Sequence, residues 1–219
     1  GADILQRGYV SATFTETATG HTSTTVTAAD IIGTYPNDYF NGMRLTINSD
    51  NTWTTINNYD NASGVSLMLD LAAKLKDNIN NNYLFIAFSG EELGLLGSNF
   101  FVKNSTINIK SINYMINMDM VGRLNTDNTL AVYGLGTSPI FKQTIKSNNQ
   151  NFKIIENESG IGPSDHTSFY LSDIPVLHFF TGQHSDYHKP SDDSNLINYK
   201  GMNLISNFIY TIISDLNDN

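Results

Sequence analysis

Residues 83–102 read YLFIAFSGEELGLLGSNFFV, and the change of period inside this stretch decides the fold class. Tyr83-Leu84-Phe85-Ile86-Ala87-Phe88 is a continuous apolar run, the pattern of a strand buried on both faces. From residue 89 to residue 102 the apolar side chains recur at helical spacing instead. A strand of this kind followed at once by a helix belongs in a sheet with parallel neighbours, covered by helices.

The same alternation continues outward. On the N-terminal side, residues 62–76 place Val65, Leu67, Met68, Leu69, Leu71, Ala72 and Leu75 at helical spacing. On the C-terminal side, residues 112–118 read as a second buried strand and 130–133 as a short one. Residues 139–147 read as a helix, 174–180 as a third strong strand, and 199–216 as a long amphipathic helix. The fold class is therefore α/β, with a mostly parallel central sheet covered on both sides. In such sheets ligands bind outside the carboxyl ends of the strands.

The texture changes near residue 57. Residues 9–56 are Thr-rich and lack a helical period. Met43-Arg44-Leu45-Thr46-Ile47-Asn48 alternates, Ser49-Asp50-Asn51 gives a turn, and Thr52-Trp53-Thr54-Thr55-Ile56 resumes the alternation, which predicts a β-hairpin. Residues 9–14 predict another strand. The chain thus divides into a β-rich segment, 1–56, and an α/β domain, 57–219.

Composition bounds the function. The chain has 219 residues, enough for one large domain, and 40% are hydrophobic, so a core can be buried. Twelve basic residues against 21 acidic ones give a net charge of −9. That argues against nucleic acid and against an anionic membrane surface, and suits a cationic ligand such as the free amino end of a peptide. There is no cysteine, so any metal must sit on His, Asp and Glu. No apolar run approaches the ~20 residues that span a bilayer. Gly1-Ala2-Asp3 opens a polar stretch without the pattern of a signal peptide.

Four segments place acidic or imidazole groups at strand ends or in the adjoining loops: Asp60 before the first helix, Glu91-Glu92 after the strand ending at Phe88, Asp119 after the strand ending at Met118, and His188 beyond the last strand. Each has an ordinary structural reading. Asp60 suits an N-cap, Ser89 with Glu92 forms a capping box, and His188 beside Lys189 suits a surface loop. Parallel strands share a carboxyl end, however, so all four converge on one mouth. Carboxylates with an imidazole suit zinc in an open site, and a second adjacent carboxylate suits a general base.

The stretch 84–102 resembles the signature of the zinc aminopeptidases of the M28 peptidase family. DNASG at 60–64, NMDMVGR at 117–123, GPSDHTSFYL at 162–171, IPVLHFFTG at 174–182 and DYHKPSD at 186–192 follow in that family's order. The resemblance covers residues 57–219 and implies a three-layer α/β/α sandwich with a two-zinc site. It implies Asp60 as the carboxylate bridging the metals, Glu92 and His188 as ligands of one zinc, and Asp119 as a ligand of the other. Glu91 would be the general base, and Asp165 and His166 would line the site at the substrate or behind the ligands. It also implies a peptide substrate cleaved at its N-terminal residue, and secretion or a periplasmic home.

One element of the family's pattern is missing. The second zinc also needs a histidine in a His-x-Asp motif, in text such as GAHYDH, ahead of the bridging Asp. Nothing between residues 40 and 59 supplies it. His21, in Gly20-His21-Thr22-Ser23-Thr24, has no Asp two residues on and reads as an exposed loop histidine. Asp60, Glu92 and His188 therefore make one complete three-ligand zinc site, and the second is half built, with reduced activity as the expected consequence. Two other readings stay open: a glutaminyl-cyclase-like acyltransferase with a single zinc, and a non-catalytic relative that kept the fold for binding or structure.

Overall fold

A computed structural model describes residues 9–10, 14–17, 23–26, 44–46, 53–55, 59–78, 81–189 and 191–218. Five short strands come first: β1 (Tyr9–Val10), β2 (Phe14–Thr17), β3 (Ser23–Val26), β4 (Arg44–Thr46) and β5 (Trp53–Thr55). They are followed by α1 (Tyr59–Leu75), β6 (Ala87–Phe88), α2 (Leu96–Asn104), β7 (Met115–Met118) and β8 (Thr129–Tyr133). The chain ends with α3 (Phe141–Asn148), β9 (Lys153–Glu156), α4 (His166–Tyr170), β10 (Val176–Phe180) and α5 (Tyr199–Asp218).

The alternating stretch around residues 43–56 does pair as a hairpin, with Leu45 of β4 opposite Thr54 of β5. Strands β2 and β3 form a second antiparallel pair, and β1 runs antiparallel to β6. The main sheet has the order β7-β10-β8-β9. Two of its pairings are parallel, β10 with β7 and β8 with β9, and β10 with β8 is antiparallel. The reversal has a local cause. Residues 119–128, between β7 and β8, contain no helix, and a parallel crossover takes about a dozen residues or more. The connection from β8 to β9 contains α3 and returns parallel.

The period of β10 sorts the two faces. Leu177 and Phe179 pack against Leu67, Leu71 and Leu75 of α1, Phe141 and Ile145 of α3, and Ile205, Ile209 and Ile212 of α5. Val176 points the other way, into a cluster with Phe101 of α2 and Phe169 of α4, and His178 stacks on His166 of α4. Helices thus cover both faces, the three-layer arrangement that the alternation predicts. Burying a side chain such as Phe179 in this core stabilises the fold by roughly 1.5–3 kcal/mol.

Several boundaries differ from the sequence expectation. The run 83–88 forms a strand only at Ala87–Phe88. The helix expected from residue 89 begins at Leu96, because Gly90 (φ 66°), Gly94 (φ 104°) and Leu95 (φ 59°) take left-handed conformations that coil 89–95 into turns. The strand expected from 112 begins at Met115, after a 3₁₀ turn at Ile109–Ser111. Strand β9 and the five-residue α4 were not anticipated. Among the described residues, no helix is long and apolar enough to cross a membrane.

Candidate functional site

Strands β7 and β10 are parallel, so Asp119 and the loop 181–193 leave the sheet at the same edge. That edge is tightly fastened. Met120 adopts φ 51°, and its carbonyl accepts from the Thr181 N–H at 3.2 Å and from Thr181 Oγ1 at 2.5 Å. The Val121 N–H donates to Ser63 Oγ at 3.0 Å, tying the strand end to α1. At Gly64 a Cβ would stand 2.3 Å from the Met118 carbonyl oxygen, so only glycine lets helix and strand approach this closely. Asp60 lies in the first turn of α1 rather than at its N-cap; its side chain is outside the described residues.

Glu91 and Glu92 arrive from β6 through the turns at 89–95. The Glu91 carbonyl accepts from the N–H groups of Gly94 at 3.0 Å and Leu95 at 2.9 Å. With α2 starting at Leu96 and no side chain capping it, the capping box expected from Ser89 and Glu92 does not form. The Glu92 side chain reaches His188 instead, with Oε1 2.8 Å from Nε2. His188 takes φ 55°, with its ring centroid 3.9 Å from that of Tyr187. Its loop is anchored from below by Arg123, whose Nη2 lies 2.5 Å from Asp192 and 3.8 Å from Asp186. Ser191 Oγ donates to Asp186 at 2.8 Å.

Glu91, Glu92 and Asp119 face a cavity of about 320 Å³ that Pro163 and Tyr187 also line, with no basic side chain on its wall among the described residues. Burial, then the carboxylates of Asp119, Glu92 and Asp165, push Glu91 from an ordinary carboxyl value up to about 7. Asp165 is raised to about 6 by burial, opposed by a hydrogen bond from Ser98 and assisted by Asp119. It shares with Glu91 and Asp119 a second, larger cavity of about 760 Å³ between residues 83–88 and β7. His166 lines neither cavity. It is buried, and burial lowers it to about 4. α4 turns its ring inward onto His178, with the ring centroids 4.4 Å apart and the planes nearly parallel.

This donor set fits zinc. An imidazole nitrogen and a carboxylate oxygen already touch, three carboxylates line one cavity, and Asp165 Oδ1 is buried without a hydrogen-bond partner among the described residues. Among the described residues no three ligating groups stand together as a metal site; Asp60's side chain is outside them. His21 is outside them as well. The sequence reading missed Arg123 and Asp192, which fix the His188 loop, and Ser164, whose Oγ donates to Asp119 Oδ2 at 3.1 Å. A lone Arg just after Asp119, in a chain with so few charges, was the available signal.

Residues 56–213 match the profile of Peptidase family M28. The chain is 33% identical over 150 residues to aminopeptidase YwaD of Bacillus subtilis, covering 61% of this chain and 32% of that protein. It is 30% identical over 197 residues to leupeptin-inactivating enzyme 1 of Streptomyces exfoliatus, covering 85% and 43%. It spans less than half the length of these two relatives. The structure of BSAP, a zinc aminopeptidase from Bacillus subtilis, superposes with a TM-score of 0.61 at 27% identity, over 72% of this chain and 41% of that chain. A glutaminyl cyclase from Porphyromonas gingivalis shares the fold, with a TM-score of 0.56 at 15% identity over 72% and 62%. The profile match runs through α1, the acidic turn, both strand ends and the His188 loop, and the chain belongs to Peptidase family M28.

Proposed function

We propose that this chain is the catalytic domain of a zinc-dependent aminopeptidase that removes the N-terminal residue of peptides. The observation that carries the reading is Glu91: half-buried, crowded by carboxylates and raised to about 7, it stands next in sequence to Glu92, which touches His188. A carboxylate poised near neutral pH is suited to both accept and return a proton. Asp60, Glu92 and His188 would hold one zinc. When bound, zinc supplies Lewis-acid polarisation of the scissile carbonyl and lowers the pKa of water.

The remaining roles fall to the chain's own residues. Glu91 takes a proton from the attacking water and delivers it to the leaving amine. Asp119, on the wall of the same cavity, accepts from the ammonium group of the substrate, which suits the acidic balance of the molecule. Tyr187 and Pro163 restrict water and shape the space for the first side chain. Because residues 40–59 contain no His-x-Asp, the second metal position is incomplete, and we expect a one-zinc enzyme with reduced activity relative to two-zinc family members.

The test is hydrolysis of leucine p-nitroanilide by the zinc-loaded protein, with metal content measured after mild dialysis. Hydrolysis with about one zinc per chain supports the reading. Cyclisation of an N-terminal glutamine peptide in place of hydrolysis would move the assignment to a glutaminyl-cyclase-like transferase. Neither activity, with no zinc retained, would leave a binding or structural protein.

A further inference from the structure

Asp192 is a buried carboxylate, and a buried charge persists only beside a partner. Its partner is Arg123, whose Nη2 lies 2.5 Å from Asp192 Oδ1. The same nitrogen lies 3.8 Å from Asp186 Oδ2. Asp186 precedes His188 in the loop and Asp192 follows it, so one guanidinium grips the chain on both sides of the imidazole. Hydrogen bonds close the loop across its base. Ser191 Oγ donates to Asp186 at 2.8 Å, and the N–H groups of Lys189 and Asp192 donate to the carbonyls of Asp186 and Lys189 at 2.9 and 3.0 Å.

The arm that reaches this loop starts from a fixed backbone. The Arg123 N–H donates to Thr181 Oγ1 at 3.3 Å, at the end of β10. The carbonyl of Gly122 accepts from the Asn198 N–H at 2.8 Å, just ahead of α5. His188 itself takes φ 55°, a conformation that a residue with a side chain holds only where its surroundings impose it. The guanidinium and the bonds across the loop base are those surroundings.

We propose that Arg123 is a positioning residue that sets the zinc affinity of the site: by gripping Asp186 and Asp192 it presents the His188 imidazole to Glu92 before an ion binds. The proposal rests on the reading of Glu92 and His188 as zinc ligands. A ligand already in place binds without the entropy cost of ordering its loop. The freedom left to the loop lies at its apex, residues 187–189.

The test is the zinc Kd, read by competition with a chromophoric chelator at fixed pH and salt, beside the unfolding midpoint of the zinc-free protein and amide hydrogen exchange in 184–193. Arg123→Met combined with Asp192→Leu replaces the buried pair by apolar side chains and leaves the net charge unchanged, an exchange that usually preserves the fold. This double variant is expected to keep its unfolding midpoint, to exchange about tenfold faster in 184–193, and to bind zinc about 10–100-fold more weakly, the scale of losing a group that orients a ligand. Two exposed positions repeat the comparison without disturbing buried groups. Asp186→Asn and Asp193→Asn each remove one negative charge from the same loop, and Asp186 is the one that faces Arg123. Asp186→Asn is expected to weaken zinc binding about threefold more than Asp193→Asn, the scale of a partly exposed ion pair. An unchanged zinc Kd in the folded double variant overturns the proposal. Should that variant not fold, equal Kd values for Asp186→Asn and Asp193→Asn overturn it. Absence of zinc binding by the unsubstituted protein sinks the zinc reading, and the proposal with it.

Discussion

Strand β10 and residues 83–88 carry the same kind of sequence, a continuous apolar run, and receive different structures. β10 is hydrogen-bonded on one edge to β7 and on the other to β8, and Val176, Leu177 and Phe179 are fully buried. Among the described residues, 83–88 pair only through Ala87 and Phe88, with β1. Tyr83 and Phe85 reach the core, yet Leu84 is 50% exposed. Between this segment and β7 lies the larger cavity. An apolar run specifies what a segment is able to bury, and its neighbours decide whether the burial occurs. The better-packed region holds the fold together, and the looser one ends in the acids that carry the proposed chemistry.

Four experiments break or sharpen that contrast. Glu91→Gln, at the end of the looser segment, should lower kcat by about 10²–10⁴-fold, the usual scale for a general base, in a protein that still folds; equal hydrolysis by the variant would remove Glu91 from its role. In the packed region the effect should reverse. Phe179→Ala should destabilise by about 3–5 kcal/mol in urea unfolding, and a cost below about 1 kcal/mol would show that β10 is not the centre of the core.

The third experiment reads electrostatics at the border between the two regions. In zinc-free protein Glu91 binds its proton more tightly folded than unfolded, with a folded value of about 7 against an ordinary value of 4.5. Its contribution to stability is then fully present below about pH 4.5 and is lost as pH rises through 7. His166 and His178, lowered by burial, contribute with the opposite slope, so the comparison between variants is what tests Glu91. From pH 5 to 8 the thermal unfolding midpoint of Glu91→Gln should rise relative to that of the unsubstituted protein, and a constant difference contradicts the crowding. The smallest effect belongs to Leu84→Ser, which should change stability by no more than about 0.5 kcal/mol because its side chain is half in water already. A larger loss would mean that residues 83–88 are packed in solution.

The elements that could be read from sequence were those whose period is set by burial on a large face. β10, β8 and α5 lie near their expected positions because their apolar spacing matches the core they enter. β9 was not legible, since Lys153-Ile154-Ile155-Glu156 sits at the sheet edge with Ile155 exposed. α4 is too short to show a helical period. The capping box failed because helical spacing in 89–102 belongs partly to a turn, where Gly90 and Gly94 rather than the apolar residues set the path. At the site, acids at strand ends were visible because connectivity puts them there. The stacking of His166 on His178 was not legible because it joins two segments distant in sequence, and Arg123 was missed because its partner Asp192 is distant as well. Long-range pairings of single side chains leave no periodic trace.

The contact of Gly64 with the Met118 carbonyl also sets how the site moves. Helix α1 and strand β7 are locked together with no room for a hinge, so the platform that bears Asp60 and Asp119 travels as one piece. Motion at the mouth is left to the turns at 89–95 and the loop 181–193, which carry Glu91, Glu92 and His188. Under the proposed function, entry to the site and exit from it would run on the nanosecond-to-microsecond clock of loops rather than the slower one of domain closure.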